Sequence, residues 1–381
     1  MIRVGFIINF EKNNWIGGYN HFVNLFNYID AYSKSQIEPI IITDNLRRFR
    51  KENSFKKFKS ISTKLVSNSN KFNRIINKIL IILFGKNFLL ENFLKKNNIS
   101  ILSHSGFTGI NSEIKSFPWF PDFQEIYFPE NFSYKDRIFR KLNIILALKH
   151  STKIIVSSKS VQKDLKKINY KCYKKSVVLK HTNYVEPFKK LKSLNFLRKK
   201  YNIDKSFFLL PNHYWVHKNH IVVLKALKII ENQDFQIVST GMCYDHRKIN
   251  HFSKLEKYIK DNSLQKKFKI LGIVSFVDLC SLMYHSLAVL NPSKSEGWGN
   301  SADQASLLGK KVILSNIPVH KEQNQKNFNF FNPNDHKKLA NLLKSNSKKN
   351  DKKVDLKKIK KKQINLRNDY IKNLQSILIN S

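Results

Sequence analysis

The stretch from Leu287 to Leu314 admits few folds. Leu287–Leu290 is a short, unbroken apolar run, as a parallel strand buried on both faces requires. A polar loop follows, in which Gly297 and Gly299 flank Trp298. Ser301–Leu308 then reads as a helix with Ala302, Ala305, Leu307 and Leu308 available for packing. Gly309 ends it, because glycine enters the left-handed C′ conformation without strain. Val312–Leu314 is a second buried strand. Strand, glycine loop, helix, strand is a right-handed crossover whose loop opens at the carboxyl edge of a parallel sheet. Ligands bind at that edge, and the first free amides of the helix favour an anion there. Glu296 is the lone carboxylate in the loop.

The same alternation recurs along the chain. Ile2–Ile8 is a buried strand, Asn9–Ile16 a polar loop, and Gly17-Gly18 opens a helix to about Asp30. Phe22, Leu25, Phe26 and Ile29 give that helix its apolar face. Pro39–Thr43, Ile99–Ser103, Lys153–Ser157 and Ser176–Lys180 complete the strands of a first half, with a helix from Ser160 to about Ile168 between the last two. Glu186 to about Leu197 reads as a linker. A second half starts at Phe207–Leu210, continues through a loop at 211–219 and the helix His220–Ile230, and adds strands at Phe235–Thr240 and Phe268–Leu271. The fold class is α/β, with two Rossmann-like domains. Residues 341–363 are lysine-rich, a solvated helix edge or a mobile segment, and Ile364–Ile379 is a last amphipathic helix.

Lys+Arg number 69 and Asp+Glu 27, a net charge of +42. That excess suits an anionic membrane, substrate or nucleic acid, or reflects a lysine-rich composition spread along the whole chain. No nucleic-acid recognition motif accompanies it, so nucleic acid is not an expected partner. Helical spacing of Phe72, Ile75, Ile76, Ile79, Ile82 and Leu83, beside Lys71, Arg74, Lys78 and Lys86, has two readings. One is a basic amphipathic helix lying on an anionic bilayer; the other, which we favour on the width of the apolar face, is a helix packed on the sheet. Cys172, Cys243 and Cys280 show no metal-ligand spacing and suit a reducing cytoplasm. The first residues run straight into a strand, with no signal peptide expected, and no apolar run is long enough to span a membrane.

The Glu296 loop resembles the donor-site signature of the retaining GT-B glycosyltransferases of the group 1 (family 4) type: a Glu, seven residues, a second Glu, and a small-residue helix ending in glycine. The resemblance extends to the Gly17-Gly18 loop, PWFPDFQ at 118–124, IIVSSKSVQKDL at 154–165 and LLPNHYWVHKNH at 209–220. It implies an acceptor-side domain over 1–190, a nucleotide-sugar domain over 197–361 facing it across a cleft, and a helix over 362–381 crossing back to the first domain. Gly17 and Gly18 would face the donor diphosphate and the acceptor, and Asp122 the acceptor side. Lys218 matches the lysine of the family's Arg-x4-Lys phosphate clamp. The arginine position falls on His213, a cation near neutral pH only if its pKa is raised. Glu296 would hold the donor sugar's hydroxyls, with Gly297, Trp298, Gly299, Asn300 and Ser301 around it.

Three positions depart from the family. Gln304 replaces the second Glu, His213 the arginine, and Glu125 a histidine common after the Gln of the PDFQ segment. Gln304 would either meet the nucleotide ribose or, at N3 after an N-cap Ser301, complete a capping box. No Asp-x-Asp pair occurs, so no metal or other cofactor is expected. The resemblance implies a cytoplasmic transferase with a saccharide or lipid-linked saccharide acceptor, in surface polysaccharide or lipopolysaccharide assembly and in peripheral contact with an anionic membrane. The departures leave a nucleotide-sugar-binding protein without transfer activity as the alternative; a basic nucleic-acid-binding protein is the remote one.

Overall fold

The computed structural model describes residues 1–9, 16–47, 55–67, 71–185, 188–231, 233–245, 247–323, 325–348 and 356–381. The chain divides into two units. The first comprises Met1–Phe123, Ser133–Thr182 and Asn365–Ser381; the second comprises Gln124–Phe132 and Asn183–Ile364.

In the first unit β1 (Ile2–Ile7), β2 (Ile37–Thr43), β3 (Ser60–Ser62), β4 (Ile101–Ser103) and β5 (Lys115–Phe117) form a five-stranded sheet in the order β3-β2-β1-β4-β5. Every pairing is parallel. A smaller parallel sheet joins β6 (Trp119–Phe120), β7 (Ile154–Val156) and β8 (Ser176–Val178). Helix Ile16–Ala31 lays Phe22, Leu25, Phe26 and Ile29 on Val4, Phe6 and Ile41, as their spacing predicts. Tyr370, Ile371, Leu374 and Leu378 of helix Leu356–Ile379 are buried in that same core.

The second unit is one parallel sheet of β9 (Ser206–Pro211), β10 (Phe235–Thr240), β11 (Phe268–Ile270), β12 (Val289–Asn291), β13 (Val312–Ser315) and β14 (Phe328–Phe331). Its order is β11-β10-β9-β12-β13-β14, so the winding reverses between β9 and β12. Successive connections leave the sheet on opposite sides there and open a crevice at the carboxyl ends of those two strands.

Several expectations need correction. Helix Lys71–Phe84 does not bury a wide face: Ile81 is buried, whereas Ile75, Ile79, Ile82, Leu83 and Phe84 are exposed. The sheet face is already covered by the next helix, Phe88–Lys96, whose Leu90 and Leu94 pack on Ile40, Ile42 and Leu102. Helix Leu194–Tyr201, capped by Ser193, begins inside the stretch read as linker and buries Leu197. The sequence reading also passed over β14 and helix Tyr134–His150. Most of the Asn9–Ile16 loop, the Glu186-Pro187 pair and residues 349–355 lie outside the described residues.

Candidate active site

The crevice of the second unit is lined by the loops after β9, β12 and β13. The first loop, 212–219, ends at Asn219, whose left-handed backbone (φ 58°) turns the chain into helix His220–Lys228. Asn219 donates through Nδ2 to the carbonyls of Pro292 (3.0 Å) and Pro333 (2.8 Å), and Lys294 N donates to His217 O at 2.8 Å. These bonds fasten the β9 and β12 loops together. Across them Lys218 Nζ meets Glu296 Oε1 at 2.6 Å, with both side chains largely buried at 13% and 10% exposure. Ser293 Oγ lies 2.7 Å from the same carboxylate oxygen.

An ion pair shielded from water is coupled far more strongly than a surface pair. Burial alone would push the Glu296 carboxyl up. The Lys218 ammonium outweighs it and, with smaller contributions from His217 and His320, holds the group down at about 2. The imidazoles contribute little at neutral pH, because both are themselves shifted toward the neutral form: burial first, then Lys218, lowers His217 to about 3, and burial lowers His320. Glu296 is therefore a carboxylate, and Lys218 is what keeps it one.

His213 is not a cation. Burial, then the Lys218 charge, lowers its pKa to about 4. Its Nδ1 accepts from Met242 N at 2.8 Å, which leaves the ring proton on Nε2. The position of the family's arginine thus presents a neutral N–H. A guanidinium does come close from another strand end: Arg247, after β10, is bonded to Asp245 (3.1 Å), which accepts from Val216 N, and stacks over Trp215 at 5.4 Å. Its charge adds to those that keep His217 neutral. A lone arginine in a loop carries no sequence motif, so no spacing rule singles it out.

Gly299 (φ +87°) is the N-cap of helix Asn300–Leu307. A Cβ here would sit 3.2 Å from the ring of His320, which is fully buried after β13 and donates from Nδ1 to Ser315 O. Trp298 O accepts from Gln323 at 2.6 Å. The helix begins one residue before the sequence reading, so Ser301 stands inside it and its Oγ accepts from Asn291 Nδ2 at 3.1 Å. The capping box of Ser301 and Gln304 is therefore absent; Gln304 Nε2 donates instead to Tyr184 O at 3.3 Å. The adjacent Asp303 accepts from Asn183 at 2.9 Å. Among the sequence-predicted residues this unit brings together Lys218, Glu296, Gly297, Trp298, Gly299, Asn300 and Ser301, with His213 and Gln304 beside them.

Gly17, Gly18 and Asp122 belong to the first unit, the glycines at the start of helix Ile16–Ala31. That unit also gathers three histidines to which the sequence assigns no site role. His21 and His181 share a 2.8 Å bond between Nδ1 atoms, and His21 stacks on Trp119 with ring centroids 4.1 Å apart. His104 ends β4 in the left-handed region (φ 61°), an uncommon backbone for a residue with a side chain, and burial lowers its pKa to about 3. Separated by more than seventy residues, these rings meet only through the parallel topology. Among the described residues no group of three or more His, Cys, Asp or Glu is placed to hold a metal ion.

Two Rossmann-like units of parallel α/β architecture define the GT-B fold, and the second carries a buried lysine–glutamate pair at its switch point. The family described as "Glycosyl transferases group 1" matches residues 195–363, the span that carries this site. It is 26% identical over 225 residues to the O-antigen chain mannosyltransferase RfbU of Salmonella typhimurium; the match takes in 59% of this chain and 58% of that protein. The fold is shared with a glycosyltransferase from Rickettsia africae (TM-score 0.69, 20% identity, 100% of this chain and 99% of that one). It is shared also with Anabaena Alr3699/HepE in complex with UDP and glucose (TM-score 0.71, 14% identity, 99% and 100%).

Proposed function

We propose that the chain transfers a sugar, with retention of anomeric configuration, from a nucleotide donor to a hydroxyl of a saccharide or lipid-linked saccharide. The Lys218–Glu296 pair carries this reading. Breaking the donor's glycosidic bond leaves negative charge on a diphosphate and an oxocarbenium-like sugar, so the site must offer a cation to one and an anion to the other. Lys218 and Glu296 supply both within one contact. When the diphosphate arrives, Lys218 exchanges its carboxylate partner for a phosphate oxygen. Glu296, ionised in the resting pair, is then available to accept from the sugar's hydroxyls and to offset positive charge at the anomeric carbon. The amides at the start of helix Asn300–Leu307 and the neutral N–H of His213 add donors at no cost in charge. Front-face attack lets the departing phosphate take the acceptor's proton, and no resident metal is required. Gly17 and Gly18 keep the role facing the donor diphosphate and the acceptor, and Asp122 the acceptor-side role, that the resemblance implies.

The likeness to RfbU supports a substrate in O-antigen or related surface-polysaccharide assembly. The structure in complex with UDP and glucose supports a uridine nucleotide as the first donor to test. No described helix is long and apolar enough to cross a membrane. The test is calorimetric titration with nucleoside diphosphates and their sugars, followed by single-turnover transfer. Lys218→Met should weaken diphosphate binding and lower transfer by roughly a hundredfold or more, the scale of one preorganised electrostatic contact. Glu296→Gln should leave diphosphate binding near wild type while transfer falls by a comparable factor. Equal loss of diphosphate affinity in both variants would assign the pair to folding and reject the division of roles.

A further inference from the structure

The first unit carries an apolar surface that its own core does not use. On helix Lys71–Phe84 the exposed residues Ile75, Ile79, Ile82 and Leu83 recur at intervals of four, three and one, which places them on one stripe. Helix Tyr134–His150 repeats the arrangement with Tyr134, Ile138, Leu142 and Ile145, all exposed, while Ile144 and Ala147 on its other side are buried. Leu83 is 69% and Tyr134 74% exposed. Lys78 joins the two helices: its ammonium sits 3.8 Å over the Phe139 ring and 3.4 Å from Asn143 Oδ1. The surface continues past the end of the first helix. Asn111 bonds the carbonyls of Phe84 and Gly85, which sets Ile110, 63% exposed, beside Phe84. Scattered apolar residues on a surface are ordinary; two ordered stripes meeting at a shared lysine mark an interaction face.

Charge decides what covers it. Helix Tyr134–His150 exposes Lys135, Arg137, Arg140, Lys141 and Lys149 around its stripe, against one exposed acid, Asp136. Helix Lys71–Phe84 contains no acid at all. A second copy of a chain of net charge +42 would bring this cationic rim against itself. An anionic bilayer offers what the surface lacks: apolar depth for the stripes and phosphate charge for the lysines.

We propose that the face made by helices Lys71–Phe84 and Tyr134–His150 seats the first unit on the surface of a bilayer containing anionic lipid, both helices lying along the interface. This holds whatever the second unit transfers. The test is flotation of the whole chain with vesicles of phosphatidylcholine, alone or with phosphatidylglycerol. Wild type should float with the phosphatidylglycerol vesicles, stay behind with the neutral ones, and be released progressively by salt. The pairs Ile79→Glu with Leu83→Glu and Ile138→Glu with Leu142→Glu should each weaken binding at least tenfold with unchanged melting temperatures. Ile229→Glu with Ile273→Glu, exposed isoleucines of the second unit, should bind as wild type. If the glutamates lower the melting temperature, Ile75→Ser with Leu83→Ser is the substitute pair, with the same loss expected. The proposal is overturned if wild type ignores phosphatidylglycerol, if the patch variants float as well as wild type, or if wild type is a dimer that those variants dissociate.

Discussion

Gln304 stands where the group 1 signature has a second glutamate, and a carboxylate could not do what this glutamine does. Its amide donates to the Tyr184 carbonyl, tying helix Asn300–Leu307 to the chain just beyond β8. The side-chain carbonyl oxygen and the second amide N–H are left to offer a ribose, and only the oxygen can accept. Gln304→Glu should therefore not tighten donor binding, although it restores the signature. It sets a carboxylate against a carbonyl and should cost about 1 kcal/mol of stability, the worth of the bond it removes. Paired melting curves and calorimetric titration check this; tighter donor binding with undiminished stability would show the glutamate turning to the nucleotide instead. Lys218 and Glu296 were legible as separate candidates in the sequence. Their 2.6 Å contact was not, because nothing local in a sequence links residues on loops seventy-eight positions apart.

Elements show the same division between what is local and what is not. The glycine loop, the helix after it and Gly309 (φ +71°) could be read directly, because turn chemistry and apolar spacing are properties of neighbouring residues. So could the buried strands β1, β2, β9, β10 and β13. Helix Tyr134–His150 has no clear period in the sequence because its apolar residues face two ways, some into the core and some outward. The edge strand β14, FNFF, lacks the unbroken aliphatic run that marks its neighbours. The spacing of helix Lys71–Phe84 predicts the element but not its partner, since periodicity reports that a face is apolar and not what covers it. Gly299 offers a test at this scale. Gly299→Ala places a methyl against His320 in a left-handed backbone and should cost roughly 1–2 kcal/mol. It should also weaken donor binding by shifting the first turn of Asn300–Leu307; an alanine variant that melts and binds like wild type would remove the helix start from the site.

At the scale of the whole molecule, buried imidazoles govern the response to acid. Burial lowers His104, His217 and His220 to about 3 and His213 to about 4, from an ordinary 6.5. The unfolded chain therefore takes up protons at these sites before the folded chain does. Stability should fall as pH drops below about 6.5, by up to roughly 1.4 kcal/mol per pH unit for each such histidine, and continue falling until the folded pKa values are passed. Glu296, lowered from 4.5 to about 2, adds to the loss only below its ordinary value. Urea midpoints measured from neutral pH down to about 5 should decline steadily; a flat profile would mean the rings are not held neutral in the fold. The division of the chain has a different consequence. Residues 365–381 complete the core of the unit that begins at Met1, while Asn183–Ile364 belongs to the other. On the ribosome, the unit started first is thus finished only after the whole of the second has been made. Until then its core lacks Tyr370, Ile371, Leu374 and Leu378, and a transcript truncated before residue 365 yields a protein with two beginnings and one ending.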